Sequence, residues 1–353
     1  MTLRLARVAD PALAGFDDII DVRSPSEFAE DHLPGAINLP VLDDAERAEI
    51  GRIYKQVSPF DARKKGAALV AANAARHIAG PLADRDGSWR ALVYCWRGGQ
   101  RSGSFATILS QIGWRIERIE GGYKSWRSLV VERVQAQPVE APFIVIDGNT
   151  GSAKTAILHR LAARGHQVID LEGLANHRGS LFGAMAGGQP AQRMFEGRLA
   201  FALEELDPSR PLLVEAESSR IGDLNLPKMM WQAICAAPRL RLEVPVAARA
   251  AYSARDYGDV VAEPRRLAGI IASLAAVQPK ERIADWQAQA EAGEWAALAE
   301  GLMRDHYDPR YRKHRSRYAD MERAVVALDD LSDLDAAAER VETALARIDL
   351  SRS

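Results

Sequence analysis

The sequence predicts an α/β protein with two consecutive parallel sheets and a mostly helical C-terminal region. Three observations predict it. Short apolar runs alternate with helix-like stretches over the first third of the chain. The alternation resumes after a polar, Pro-bearing break, Val134 to Pro142, and strand signals stop beyond Pro264.

In the first third the strand candidates are Asp18 to Val22, Ala36 to Leu39, Ala91 to Tyr94 and Ile116 to Ile119. After the break they are 143–147, 167–171, 212–216 and 240–244. Trp286 to Met303 and Met321 to Ile348 carry Ala, Glu and Leu at helical spacing. The expected organisation is therefore a first α/β domain at 1–135, a linker at 136–142, a second α/β domain at 143–260 and a helical region at 261–353.

With 353 residues, 47% of them hydrophobic, the chain can bury more than one core. A formal net charge of -2 argues against a protein that coats DNA or RNA over its whole surface, so any RNA site has to be a local patch, and no DNA partner is expected. The N-terminal stretch is broken by Asp10, Pro11 and the Asp17-Asp18 pair, and no apolar run is long enough for a bilayer. A cytoplasmic location without membrane contact is the expectation. Two cysteines, Cys95 and Cys235, are too few and too far apart for a disulfide framework or a zinc cluster.

Cys95 stands where the apolar run Ala91 to Tyr94 gives way to Trp96-Arg97-Gly98-Gly99-Gln100-Arg101-Ser102 and a helix-like stretch. Backbone N–H groups of such a loop, a helix N-terminus and Arg101 can together stabilise an anion. The same field favours thiolate over thiol. A lone cysteine after a strand is more often a small buried residue, but here further segments accompany it. Ser24, Pro25 and Glu27 form an N-cap, first helical residue and capping-box partner after the strand Asp18 to Val22, and His32-Leu-Pro-Gly-Ala-Ile-Asn-Leu39 follows. Together these segments resemble the rhodanese family, whose cysteine carries transferable sulfur. Arg101 lies six positions after Cys95, one more than is common in rhodanese sulfur-carrying loops. That spacing also occurs in cysteine-dependent phosphatases and arsenate reductases, so the loop alone leaves phosphate, arsenate, sulfur and selenium chemistry open. Cys235 sits in an apolar helical stretch and reads as core.

Phe143 to Asp147 followed by Gly148-Asn149-Thr150-Gly151-Ser152-Ala153-Lys154-Thr155 is strand, small-residue loop and helix start, the context of a P-loop. Its N–H groups can wrap phosphate, Lys154 neutralises charge, and the Thr155 hydroxyl can ligate magnesium. Ala153 replaces the usual glycine. The region thus resembles a P-loop NTPase-like α/β domain. Asp170, His177 and Arg178 follow one strand candidate, and Glu215 and Glu217 share one side of another, where ligands of parallel sheets bind. Asp170 and Glu217 are candidates for a metal-binding or acid/base role, against the plainer reading of helix caps and surface ion pairs. Farther on, Arg310-Tyr311-Arg312-Lys313-His314-Arg315-Ser316-Arg317 interleaves cations with aromatic rings, a pattern that suits RNA phosphate and unpaired bases but also a solvated helix face.

Taken together, Tyr94-Cys-Trp-Arg-Gly-Gly99, Gly148 to Thr155, Asp170-Leu-Glu-Gly-Leu-Ala-Asn-His-Arg-Gly-Ser180 and Glu215-Ala-Glu-Ser218 resemble the tRNA 2-selenouridine synthase family over nearly the whole chain. The resemblance implies replacement of sulfur by selenium in wobble 2-thiouridine of tRNA, with selenophosphate as donor and S-geranylation from geranyl diphosphate as an intermediate step. It implies the tRNA anticodon loop as partner and the supplier of selenophosphate as a further one. Cys95 would receive selenophosphate or carry selenium as a perselenide; Lys154, Thr155 and magnesium would hold the diphosphate. Two other classes fit parts of the pattern: a P-loop kinase or NTPase with a regulatory rhodanese fold, and a non-catalytic RNA-binding adaptor.

Overall fold

The apolar runs become two five-stranded sheets in which every pairing is parallel. The computed structural model describes residues 1–350, apart from the side chain of His314. The chain divides into two compact units, Met1–Pro138 with Pro190–Glu205, and Val139–Gln189 with the chain from Leu206 onward.

In the first unit β1 (Thr2–Leu3), β2 (Asp18–Asp21), β3 (Ala36–Asn38), β4 (Arg90–Tyr94) and β5 (Arg115–Ile119) lie in the order β1-β5-β4-β2-β3. Around them run α1 (Pro25–Glu30), the long pair α2 (Asp44–Gln56) and α3 (Pro59–Ala79), α4 (Gln100–Ile112) and α5 (Gly122–Gln135). Ile20, Val93, Phe105 and Leu109 fill one core between sheet and helices, with Cys95 at its edge. The strands are short; β4, buried from Ala91 to Tyr94, carries an unbroken apolar run, as burial on both faces explains.

The second unit begins with β6 (Phe143–Gly148), α6 (Lys154–Ala163), β7 (Gln167–Val168) and α7 (Leu171–Ala175). The chain then makes α8 (Gln192–Glu204), a helix that belongs to the first unit although it lies within the 143–260 span. There Gly197 lets α8 lie against Trp126 of α5, and Glu204 accepts from the Val8 and Ala9 N–H groups at 2.9 and 2.8 Å. The second unit continues with β8 (Leu212–Glu215), the small hairpin β9 (Arg220–Ile221) and β10 (Leu224–Asn225), α9 (Lys228–Ala236), β11 (Arg239–Glu243) and α10 (Val246–Asp256). With the later strand β12 (Glu322–Ala327), its sheet order is β12-β11-β6-β8-β7, which makes β6 the central strand, buried at every residue.

Two departures from the sequence reading stand out. The strand expected at 167–171 stops at Val168, because Asp170 caps α7 by accepting from the Gly173 N–H at 2.7 Å. The region after Pro264 is not wholly helical. After α11 (Gly258–Val261) it holds α12 (Pro264–Ser273), α13 (Lys280–Ala292), α14 (Trp295–Leu302), a π-helical turn at Met303–Tyr307 and α15 (Asp308–Arg315), and then β12 (Glu322–Ala327) pairs with β11 before α16 (Leu334–Leu345). As an edge strand β12 buries Val326 while Val325 stays exposed, so it lacks the long apolar run that marks the inner strands. No helix among the described residues is long and apolar enough to cross a membrane.

A Cβ on Gly197 would lie 3.0 Å from Trp126 Cη2 and 3.2 Å from Asp31 Oδ1. Gly197→Leu is therefore expected to destabilise the protein by about 1–3 kcal/mol through overpacking. Urea unfolding monitored by tryptophan fluorescence measures this; an unchanged midpoint would contradict the docking of α8.

Candidate functional site

Each unit places one candidate site at the carboxyl ends of its strands. In the first, Cys95 follows β4 and is buried, with Sγ 3.2 Å from Ser102 Oγ in the first turn of α4. Among the described residues, no hydrogen bond uses the backbone N–H of Trp96, Arg97, Gly98, Gly99, Gln100, Arg101 or Ser102 as donor. Seven consecutive unpartnered donors at a helix N-terminus make a strongly anion-seeking loop. Gly98 takes a left-handed φ of 65°, and Gly122 does the same at 64°. The two approach so closely that a Cβ on Gly122 would run into the Cys95 carbonyl oxygen. The N–H groups of Tyr123 and Lys124 donate to the carbonyls of Cys95 and Trp96 at 2.9 and 3.0 Å, clamping the loop to the start of α5.

Beneath this clamp, Arg23 donates to Asp21 Oδ2 at 2.6 Å and to the Asp31 carbonyl at 2.5 Å, and its guanidinium lies 3.9 Å from the centroid of the Tyr123 ring. The Tyr123 hydroxyl donates to Asp31 at 2.7 Å. Burial raises the Asp31 carboxyl, an effect opposed by Tyr123 and Arg127.

Arg101 differs from expectation. Its Nη1 donates to Glu27 Oε2 at 2.8 Å, and Arg47 pairs with the same oxygen at 2.9 Å. Burial would raise the Glu27 carboxyl, but Arg101 and Arg47 hold it below its ordinary value. The capping role predicted for Glu27 is present, with Ser24 N–H donating to Oε2 at 3.3 Å, and the pairing with Arg101 is an addition that chain spacing does not reveal. Arg97 is exposed, and the Trp96 ring packs 5.2 Å from that of Tyr123.

In the second unit the loop after β6 leaves the N–H groups of Asn149, Thr150, Gly151, Ala153, Lys154 and Thr155 without an acceptor among the described residues. Ala153 adopts a left-handed φ of 57°, so alanine takes the conformation for which glycine is usual. Lys154 Nζ donates to the Gly148 carbonyl at 3.0 Å and lies 5.8 Å from the centroid of the Tyr311 ring. Burial alone would lower its ammonium, but Tyr311, Glu172, Glu217 and Asp147 hold it above its ordinary value.

The predicted residues around this loop separate into two groups. Thr155, Asp170, Arg178 and Glu217 line one cavity of about 330 Å³ with the phosphate loop. Glu172, in the first turn of α7, also lines it and accepts from the Thr155 hydroxyl at 2.8 Å. Burial, with Glu172 and Glu215 nearby, raises Glu217 well above its ordinary value. Gly179 permits this crowding, since a Cβ there would lie 2.6 Å from Glu217 Oε1 and 2.7 Å from Glu172 Oε1. Asp170 and Arg178 also have partners of their own, and His177 lies outside the cavity lining. Asp170 caps α7 and meets His159 Nε2 at 2.6 Å, Arg178 binds Asp259 at 3.0 and 3.2 Å, and His177 Nδ1 accepts from the Gly179 N–H at 3.1 Å.

No group of three or more His, Cys, Asp or Glu side chains capable of holding a metal occurs among the described residues. Magnesium, however, is commonly held by one or two carboxylates together with substrate phosphates. Thr155, Glu172 and Glu217 supply hard oxygen donors of that kind, and a cation would relieve the crowding of the two carboxylates. A second, almost wholly apolar cavity of about 80 Å³ shares Thr150, Ser180, Ser253 and Tyr257 with the first and extends among Phe182, Leu267, Leu298 and Leu302.

The basic stretch joins this site more closely than its composition implies. Arg315 Nη2 donates to Asn149 Oδ1 at 2.5 Å, Asn149 Nδ2 donates to Asp308 at 2.9 Å, and buried Arg249 bridges Asp308 and the Thr150 carbonyl. Arg310 meets His306 Nδ1 at 2.6 Å. Arg312, Lys313 and Arg317 are exposed. Sequence reasoning gave no role to Glu172, Gly179 or Asp308; Glu172 is visible in the sequence as a second carboxylate at the same strand end as Asp170, in the first turn after the cap.

Glu215, fully buried at the end of β8, accepts from the Glu172 N–H at 2.8 Å while its Oε2 has no partner. Burial, with Glu172 and Asp170 nearby, pushes its carboxyl up from 4.5 to about 8. A raised carboxyl means that the folded state keeps a proton which the unfolded state releases. Its contribution to stability is full below the ordinary value and is lost as pH rises toward 8. Glu215→Gln is expected to flatten the fall in stability across this window, a difference on the order of a few kcal/mol. Denaturant unfolding of both proteins at the two ends of the window measures it, and parallel slopes would show Glu215 ionised in the folded state.

Comparison with known proteins agrees with this architecture. The tRNA 2-selenouridine synthase AAA domain matches residues 141–269, and the rhodanese-like domain matches residues 6–129. The tRNA 2-selenouridine synthase of Cupriavidus necator is 36% identical over 332 residues, covering 85% of this chain and 88% of that protein. Those of Aeromonas salmonicida and Chromohalobacter salexigens are 37% and 39% identical, over 72% and 69% of this chain and 69% and 66% of their own lengths. A rhodanese-like unit carrying Cys95 and a phosphate-loop unit carrying Lys154, in a chain with these relatives, make it a member of the tRNA 2-selenouridine synthase family.

Proposed function

We propose that the protein is a tRNA-modifying selenium transferase that replaces the sulfur of wobble 2-thiouridine by selenium, with S-geranylation as the preceding step. The observation that carries this reading is the apolar cavity adjoining the phosphate loop. Geranyl diphosphate has a charged end for the free amides of Asn149, Thr150, Gly151, Ala153, Lys154 and Thr155 and for the Lys154 ammonium, and an apolar tail for the cavity among Phe182, Leu298 and Leu302. A nucleotide suits this cavity less well, since its apolar lining offers little to a base edge or a ribose.

In the first step the thiouridine sulfur attacks C1 of the geranyl group, the C1–O bond breaks, and diphosphate leaves with the electron pair. The loop amides and Lys154 stabilise the charge that develops on the leaving oxygen. Thr155, Glu172 and Glu217 would hold magnesium together with the phosphates, and that ion would supply further neutralisation of the leaving group. In the second step the selenium of selenophosphate adds at C2 of the base and the C2–S bond breaks, so that the alkylated sulfur leaves as geranylthiol, a better leaving group than thiocarbonyl sulfur. Water takes the phosphoryl group from selenium, releasing phosphate. The loop of Cys95 binds the selenium donor, selenophosphate, whose negative charge its seven free amides suit. The exposed cations Arg312, Lys313 and Arg317 contribute to tRNA binding, while Arg315 and Tyr311 serve the phosphate loop.

Mass analysis of nucleosides from thiolated tRNA incubated with geranyl diphosphate and selenophosphate tests the scheme. Lys154→Ala is expected to abolish geranylthiouridine, and Cys95→Ser to leave it intact or accumulating while selenouridine is lost. Wild-type protein that leaves 2-thiouridine unchanged would refute the assignment. Arg312→Ala with Lys313→Ala and Arg317→Ala should weaken tRNA binding and lower its salt slope by roughly two to three. Titration at several salt concentrations measures this, and an unaltered slope would remove the stretch from the tRNA interface.

A further inference from the structure

Helix α2 presents a second basic and aromatic face, in the first unit, that motif reading passes over. Arg47, Arg52, Tyr54 and Lys55 line an open groove of about 650 Å³ whose other wall includes Leu42 and Arg101. Residues 47, 51 and 54, and 48, 52 and 55, follow helical spacing, which gathers them on one side of α2. Tyr54 is 56% exposed, unusual for a ring of its size, and the turn into α3 continues the pattern with Val57 at 73% and Phe60 at 65%. The acidic residues nearby are occupied elsewhere. Glu27 holds Arg47 and Arg101, Glu49 meets Lys65 at 2.5 Å, Asp61 meets Lys64 at 3.7 Å, and Asp44 accepts from the Ser26 hydroxyl at 2.5 Å. Arg52, Lys55 and Arg63 have no hydrogen-bonded or ion-pair partner among the described residues.

We propose that this groove binds an unpaired stretch of RNA, with a base stacked on Tyr54 and the flanking phosphates on Arg52 and Lys55. The groove is open and its charges stand on flexible side chains, which suits a backbone running across it better than a small molecule enclosed in it. It contains a stacking ring but no buried polar set to read base edges, so it holds the strand without selecting sequence. Its position gives it a purpose. Arg101 forms its wall, and the next residue, Ser102, touches the Cys95 sulfur, so a strand lying here ends beside the cysteine loop. The inference rests on the tRNA reading above and adds a separate attachment point for the strand at the selenium-handling unit.

Fluorescence titration of the full-length protein with a labelled tRNA anticodon stem-loop, across several salt concentrations, tests it. All altered side chains are exposed, and thermal unfolding checks that each variant keeps its fold. Tyr54→Ala is expected to weaken binding roughly tenfold while Tyr54→Phe retains it, because stacking needs the ring and not the hydroxyl. Arg52→Ala with Lys55→Ala should lower the salt slope by about one to two. If wild-type protein binds the RNA and these variants bind as tightly with the same slope, the groove is not the site. If only the charge variant weakens, stacking of an unpaired base on Tyr54 is overturned, and the RNA backbone alone occupies the groove. If wild-type protein binds no tRNA, the functional reading fails together with the groove.

Discussion

Both candidate sites rest on the unpaired backbone donors left where a buried parallel strand ends. β4 and β6 spend their hydrogen bonds on neighbouring strands, and the loops that follow turn into helices before their N–H groups meet acceptors. Buried or half-buried donors without partners are costly, so these loops are built to be completed by an anion. The helix dipoles of α4 and α6 point the same way. What distinguishes the two sites is the group at the mouth, a thiol in one and an ammonium in the other. One physical device thus serves two chemistries.

Holding such loops open requires bracing by other parts of the chain. At Cys95 the bracing is backbone against backbone, since Gly122 and Gly98 meet where no side chain could fit and α5 donates to the loop carbonyls. Arg23, between Asp21 and Asp31, fixes the floor by a buried ion pair that carries further hydrogen bonds, the condition under which such a pair is tolerated. At Lys154 the bracing comes from side chains far along the sequence. Asp308, Arg249, Asn149 and Arg315 form a hydrogen-bonded chain beside the phosphate loop. The helix read from composition as an RNA contact is therefore also part of the phosphate site. Its exposed residues include Arg312 and Lys313, while Arg315 points to the phosphate loop.

The acidic cavity illustrates a second constraint. Glu172, Glu215 and Glu217 are crowded where burial already disfavours charge, and Lys154 compensates only in part. Such crowding is unfavourable in the free protein and is relieved when a ligand or cation brings positive charge. Gly179 shows the arrangement to be tight, because even a methyl group would strike two of the carboxylates.

Much of this was legible in the sequence. Strand runs buried on both faces announce themselves by near-continuous apolar residues in β4, β6 and β8, and β11 alternates Arg and Leu, so these strands and β2 lie within two residues of their expected places. The two anion loops were legible for the same reason, since strand, small residues and helix start are contiguous in the chain. Edge strand β12 was not, because exposure on one face removes the apolar run, and nothing local shows that α8 would join the first unit. The partners of Arg101, Arg315 and Glu172 were equally hidden. The amino-acid sequence by itself determined which segments become strands and which loops can take an anion, since both depend on neighbours a few positions apart. Only the tertiary structure decided which charges face each loop and what cavity adjoins it, because those depend on residues brought together from distances of tens to more than a hundred positions, such as Asn149 and Arg315.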